Sequence, residues 1–154
     1  MVFSYWNNNI ESKSEKDSNR IEQIQLEEAR IVTGLTVISS RESLYLETGW
    51  EPLINRRQRS KLVTMFKIYN NFTPSYLNDI MPDQRSVISN RQTRNSSNYD
   101  IPRCRLELYK KSVMPSVVHD WNCLSMKSRS CDSLKQFKKC ISNLMLSVPE
   151  FSLW

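Results

Sequence analysis

The chain has 154 residues, of which 39% are hydrophobic and 25% charged, enough for one globular domain or two small helical lobes. It has only 2 glycines and 6 prolines, so it lacks the turn residues that a sandwich or barrel needs at its hairpins. The net charge of +6 favours a polyanionic partner, either nucleic acid or an anionic membrane surface. These properties predict a mainly α protein.

The apolar residues that recur from Ile21 at helical spacing predict a first helix that ends at Gly34. The serine pair before Arg41 can cap a second helix that continues through Thr48. Gly49 is expected to end that helix, because glycine tolerates the left-handed conformation.

Pro52 suits the first turn of a third helix, which we expect to run to Tyr69 with one apolar and one basic face. The basic face is predicted to carry Arg56, Arg57, Arg59 and Lys67. Thr73 and Pro74 suit the start of a fourth helix that Pro82 ends. Residues 1–82 are therefore predicted to form a helical lobe, with Trp50 folded back into its core.

Residues 83–111 are predicted to be a basic linker or arm, because residues 83–100 are rich in serine, asparagine and arginine and lack periodicity. Between Arg103 and Tyr109 polar and apolar residues alternate, which permits a short strand or an extended arm. Residues 112–154 then predict a small pair of helices, one from Pro115 and one capped by Asp132 and Ser133. Trp121 is expected to anchor that tail.

Catalytic and metal-binding patterns are weak in this sequence. His119 is the sole histidine, and no glycine-flanked nucleophile accompanies it. His119 and Cys123 have a spacing that could bind zinc, but the four cysteines lack the close pairs of structural sites, so reduced, half-buried thiols are expected. We therefore predict no catalytic residue, no metal and no cofactor, although a hydrolase that uses His119 with a cysteine remains open.

Basic residues concentrate in the middle of the chain, where residues 56–111 hold 12 Lys and Arg against 4 Asp and Glu. Clustered cations neutralise successive phosphates, and Tyr99 and Tyr109 beside them suit base stacking. A merely solvated basic face is the alternative. The predicted nucleic-acid-binding residues are Arg56, Arg57, Arg59, Lys61, Arg91, Arg94, Arg103, Arg105, Lys110 and Lys111.

A series of short segments, in this order, resembles the region after the polymerase core in reverse transcriptases of non-LTR, LINE-type retrotransposons. The first two are Gln25-Leu-Glu-Glu-Ala-Arg-Ile-Val-Thr-Gly-Leu and Tyr45-x-Glu-Thr-Gly-Trp-Glu-Pro-Leu-x-x-Arg-Arg-x-x-Ser-Lys-Leu. The later ones are Tyr69-Asn-Asn-x-x-Pro-Ser-Tyr-Leu, Asn90-Arg-Gln-Thr-Arg-Asn, Ile101-Pro-x-Cys-Arg, Tyr109-x-x-Ser-Val-x-Pro-Ser, Trp121-Asn-x-Leu and Ser133-Leu-x-x-Phe-Lys. The resemblance covers nearly the whole chain.

The resemblance implies a fragment without enzymatic activity, because the metal site of the palm and the endonuclease would lie upstream of Met1. It implies thumb-like helices that hold a template-primer duplex, followed by a tail that engages element RNA or target DNA. The opening residues are too short for a signal peptide or a membrane span, so we expect an intracellular protein in the nucleus or cytoplasm, with no membrane partner. The rival interpretation is a helical protein-interaction module.

Overall fold

The computed structural model describes residues 15–88, 95–101 and 103–147. The helices in these ranges are α1 (Glu15–Thr33), α2 (Arg41–Thr48), α3 (Leu53–Tyr69), α4 (Tyr76–Ile80), α5 (Arg85–Ile88), α6 (Glu107–Lys110), α7 (Val113–Cys123), α8 (Met126–Arg129) and α9 (Leu134–Ser147). The described part of the chain contains no β-strand, and one isolated antiparallel bridge joins Gln84 to Tyr99. The prediction of a mainly α protein is confirmed.

The chain divides into two compact units, Met1–Arg57 and Gln58–Trp154. This division differs from the predicted lobes, whose boundaries were placed at 82/83 and 111/112. The reason is that most of α3 belongs to the same hydrophobic core as the C-terminal helices, so Phe66 and Phe137 stack with ring centroids 4.2 Å apart. The boundary therefore falls within α3.

The unit Met1–Arg57 has a small core between α1 and α2. Its buried members are Leu26, Ala29 and Leu44, and Tyr45 packs against them. Leu26 and Ala29 are three residues apart and therefore share one face of α1. Three buried residues among those that the structure describes make a thin core for this unit.

Both predicted glycine ends of helices in this unit are confirmed. Gly34 follows α1 with a φ of +68°, and Gly49 follows α2 with a φ of +66°. At the other end of α2, the Ser40 hydroxyl accepts a hydrogen bond of 3.1 Å from the backbone N–H of Ser43. The sequence therefore identified both ends of this helix from local chemistry alone.

Glu22 ties the start of α3 to α1. Its Oε2 atom accepts a hydrogen bond of 3.1 Å from the backbone N–H of Leu53, and its Oε1 atom accepts one from the Tyr45 hydroxyl. Burial raises the pKa of Tyr45, and the hydrogen bond to Glu22 raises it further. A carboxylate at this end of α3 also complements the helix dipole.

The unit Gln58–Trp154 has a larger core built around Trp121, whose side chain is fully buried. The Trp121 ring lies 5.9 Å from that of Phe137 and 5.4 Å from that of Tyr69, measured between centroids. Ser133 begins α9 by accepting a hydrogen bond of 3.2 Å from the backbone N–H of Gln136. The predictions of a core role for Trp121 and of a serine cap are confirmed.

The second half of the predicted linker is attached to this core by polar contacts. Asn122 makes two hydrogen bonds with the backbone of Tyr99, accepting from its N–H at 3.0 Å and donating to its carbonyl at 2.9 Å. Arg129 donates to Asn98 Oδ1 at 2.9 Å and to the carbonyl of Leu124 at 3.0 Å. Residues 95–101 are therefore held by side-chain hydrogen bonds, which composition and periodicity do not reveal.

Three other expectations need correction. Trp50 is 38% exposed, so the prediction that it anchors a core is wrong. Helix α4 begins at Tyr76, whereas Thr73 was predicted to cap it and Pro74 to be its first residue. Glu107–Lys110 is a helical turn where an extended arm or strand was predicted. A run of alternating residues this short gives a weak indication of a strand, because one turn of helix can satisfy its local contacts equally well.

Candidate nucleic-acid interface

The basic cluster on α3 is only partly available to a ligand. Arg57 is 5% exposed and Lys61 is 6% exposed, whereas Arg56 is exposed and Arg59 is half-buried. Residues 57 and 61 lie on the same stripe of the helix as Met65, which is 1% exposed, because they follow each other at intervals of four. The prediction that Arg57 lies on the solvent-facing side of this helix is therefore wrong.

The two buried cations make hydrogen bonds inside the protein. Arg57 Nη1 donates to Ser18 Oγ at 3.1 Å, within the first unit. Lys61 Nζ donates to Ser116 Oγ at 2.9 Å, within the second. Because both side chains are buried and hydrogen-bonded within the protein, Arg56 is the member of this cluster best placed to contact a phosphate.

Most of the predicted site residues that are exposed lie in residues 103–111, here called the basic arm. Its four cationic side chains are all exposed, and Tyr109 beside them is 47% exposed. These cations are Arg103, Arg105, Lys110 and Lys111. Arg91 and Arg94, which were predicted to belong to the same surface, lie outside the described residues.

A third set of exposed cations lies on α9 and was not predicted. Lys135, Lys138 and Lys139 are exposed and follow each other at i, i+3 and i+4, so they share one side of the helix. The opposite side carries Phe137 and Ile141, both fully buried. The spacing of these lysines in the sequence could have identified them as one basic side of a helix. No acidic residue of α9 offsets their charge.

The two units have net charges of opposite sign. The unit Gln58–Trp154 holds 15 Lys and Arg against 7 Asp and Glu, a net charge of +8. The unit Met1–Arg57 holds 7 against 9, a net charge of −2. The attraction for a polyanion therefore resides in the second unit.

The titratable groups around the sole histidine are partly buried. His119 Nδ1 lies 3.5 Å from Asp120 Oδ1, and Gln58 Nε2 donates to Asp120 Oδ2 at 3.1 Å. Burial raises the pKa of Asp120, although Gln58, His119 and Lys61 partly offset it. This pair is a half-buried polar contact of α7.

Two cysteines have thiols whose pKa is raised by their surroundings. Burial raises the pKa of Cys123, and the neighbouring Asp120 raises it further, which lowers the thiolate fraction at neutral pH. Burial, followed by a hydrogen bond with Cys140, also raises the pKa of Cys131. None of the four cysteines is joined in a disulfide bond. Cys104 and Cys140 are half-buried as expected, whereas Cys131 is buried and Cys123 is exposed.

Two features are absent from residues 15–88, 95–101 and 103–147. No group of three or more His, Cys, Asp or Glu side chains comes together in a way that could hold a metal ion. No helix there combines the length and the apolar character that crossing a membrane requires.

The chain was also compared with known proteins. No protein-family model matches it, and neither the curated proteins nor the solved structures contain a match. The resemblance to LINE-type reverse transcriptases therefore stays a hypothesis that depends on the motifs quoted above.

Proposed function

We propose that this protein binds RNA or DNA through the exposed cations of the unit Gln58–Trp154, without catalytic activity of its own. The observation that carries the proposal is the basic arm, in which four cationic side chains within nine consecutive residues are all exposed. Cations so arranged release counterions when they meet successive phosphates, which supplies most of the affinity of non-specific binding.

The lysines of α9 extend this proposal. Lys135, Lys138 and Lys139 form a second exposed group on the same positively charged unit. Phosphate contacts of this kind position a strand without reading its sequence. We therefore expect affinity for both RNA and DNA, with little preference between sequences.

The biological setting that we propose follows from the resemblance. A chain similar to the thumb and tail of a non-LTR retrotransposon reverse transcriptase would engage element RNA, a template-primer duplex or target DNA. Such partners would place it inside the cell, in the nucleus or cytoplasm.

The test measures binding of a labelled 20-nucleotide single strand, as RNA and as DNA, over a series of salt concentrations. In one variant Arg103, Arg105 and Lys110 are replaced by glutamine, which removes three charges of the basic arm. If all three contact phosphate, the log–log salt slope becomes shallower by about 2–3, since each lost contact contributes roughly 0.7–0.9.

A matched control replaces Lys16, Arg20 and Arg41 by glutamine. These residues have the same composition, one lysine and two arginines, and are also exposed, but they belong to the unit of negative net charge. We expect the control to keep the parent slope. Equal slopes for parent, arm variant and control would contradict the assignment of the arm, and an affinity independent of salt would contradict nucleic-acid binding as a whole.

The second candidate function is a helical protein-interaction module. It is favoured by apolar side chains that remain exposed around the end of α1 and along α2, namely Ile31 (82%), Val37 (83%), Ile38 (95%) and Leu46 (86%). Exposed apolar surface of this kind commonly marks a protein contact. This function becomes the better proposal if the parent protein fails to bind nucleic acid at low salt.

A further inference from the structure

Two aromatic rings stand in solvent where α3 connects to α4. Phe72 is 63% exposed and Tyr76 is 60% exposed. They are four residues apart, so their Cα atoms lie within roughly 14 Å of each other. Both belong to the unit Gln58–Trp154, which carries the positive charge.

The backbone around these rings is held in place by hydrogen bonds. The N–H of Phe72 donates to the carbonyl of Lys67 at 2.8 Å, and the N–H of Asn71 donates to that of Ile68 at 3.0 Å. Asn71 adopts a left-handed φ of 56°, a conformation that asparagine tolerates better than most residues. The Asn78 side chain donates to the Asn71 side chain at 3.0 Å and closes the turn.

Phe72 and Tyr76 are therefore presented to solvent by an ordered turn. Large aromatic rings contribute most when they are covered, and exposed apolar groups that lie together indicate a partner. The exposed residues Asn71 and Asn78 lie in the same segment of the chain, so amide groups accompany the rings along the sequence. Amides can form hydrogen bonds with base edges, which favours a partner that offers flat apolar faces bordered by polar atoms.

Two charged side chains near the rings, Lys67 and Asp79, would influence where the phosphates of such a partner lie. Lys67, in the last turn of α3, is half-buried, and Asp79 on α4 is exposed three residues after Tyr76. A phosphate backbone would be repelled by Asp79 and attracted by Lys67 and by the net charge of +8 on this unit. A single strand would thus place its bases on the rings and its phosphates on the side of Lys67.

We propose that Phe72 and Tyr76 form a stacking platform for unpaired bases of single-stranded nucleic acid. This inference rests on the proposed function and adds to it a base-dependent contribution. Stacking on aromatic rings tolerates any sequence, because every base offers a π face. It also requires no phosphate contact, so it should not change the dependence of affinity on salt.

The experiment compares the parent with a Phe72→Leu, Tyr76→Leu double variant. The probes are a 20-nucleotide single-stranded DNA and an abasic strand of the same length. We expect the double variant to bind the base-bearing strand at least about 5-fold more weakly, since each stacked ring contributes roughly 5- to 150-fold. Its salt slope and its affinity for the abasic strand should equal those of the parent.

Trp50→Leu is the control, since Trp50 is an aromatic residue of the other unit that is 38% exposed. It should bind both strands as the parent does. Thermal melting of the double variant should also match the parent, because neither ring is part of the buried core.

Four results would overturn the inference. Parent-like affinity of the double variant for the base-bearing strand would remove the stacking role and leave the proposed function intact. An equal loss of affinity for both strands would show that the rings act on the fold or on phosphate contacts. A parent that sediments as a dimer, dissociated by the double substitution with strand binding unchanged, would assign the rings to a protein interface. A parent that binds neither strand would refute the proposed function itself.

Discussion

Trp50 and Trp121 were both predicted from the sequence to anchor a core, but they differ in burial. Trp121 is fully buried and contacts Tyr69 and Phe137, whereas Trp50 is 38% exposed. Both residues lie near helix boundaries, but Trp121 follows Val117 and Val118 at helical spacing, whereas Trp50 stands between Gly49 and Glu51. The neighbours that the fold brings to each ring decide which one stabilises the protein.

We predict that Trp121→Ala lowers the free energy of unfolding by about 3–5 kcal/mol, because a large cavity replaces the ring. Trp50→Ala should cost clearly less, since much of its surface stays in water. Chemical denaturation followed by circular dichroism measures both values. A Trp121→Ala variant as stable as the parent would contradict the core described here.

Arg57 and Lys61 show how burial changes a functional prediction at the same scale. The sequence shows a run of cations, and its simplest interpretation is a phosphate-binding face. The structure uses both residues internally, in hydrogen bonds with Ser18 and Ser116. Substituting them would therefore confuse loss of folding with loss of binding, which is why the proposed test uses the basic arm.

At the scale of helices, the ends were predicted best where glycine or a serine cap decides them. Gly34 and Gly49 both adopt a positive φ, and Ser40 and Ser133 both cap as expected. Such ends depend on local backbone chemistry, which the sequence carries directly. The short helices α5, α6 and α8 were missed, because four residues are too few to show a period.

The conformation of Gly49 leads to a prediction about α2. A Cβ atom at Gly49 would meet no other atom within 4 Å, so the cost of Gly49→Ala comes from the backbone alone. We expect a loss of about 1–2 kcal/mol in the free energy of unfolding, since the left-handed region disfavours side chains with a Cβ.

Gly49→Asn serves as the control, because asparagine tolerates the left-handed region and should recover part of the loss. Thermal melts of the three proteins measure the order. An alanine variant as stable as the parent would show that the end of α2 rearranges without cost.

Across the whole molecule, the two units differ in the size of their cores. Among the residues that the structure describes, three are buried in the core of Met1–Arg57, namely Leu26, Ala29 and Leu44. Eleven of the described residues are buried in the core of Gln58–Trp154, among them Phe66, Trp121 and Phe137. Few buried apolar contacts are typical of regions that open at low free energy.

We therefore predict that backbone amides of α1 and α2 exchange with deuterium faster than those of α7 and α9. Hydrogen exchange followed by mass spectrometry measures the difference on the intact protein. Trp121→Ala should accelerate exchange in α7 and α9. Equal protection of all four helices would indicate that the first unit is stabilised by something other than its small core.

The sequence by itself determined the mainly helical fold, the helix ends that a glycine or a serine cap decides, and the positive charge of the middle of the chain. These properties follow from composition, from caps and from a period of 3.6 residues, all of which are local. The sequence also located the clusters of cationic residues. One of these clusters, the basic arm, is exposed in the structure, as a binding surface requires.

The tertiary structure alone decided which of these cations and aromatic rings face solvent. It divided the chain within α3, buried Arg57 and Lys61, and joined Tyr99 to Asn122 across 23 residues. Each of these outcomes depends on contacts between residues distant in the chain, whose free energies no local pattern encodes. Phe72 and Tyr76 became candidates for the same reason, since an aromatic residue in a sequence looks the same whether the fold covers it or leaves it in water.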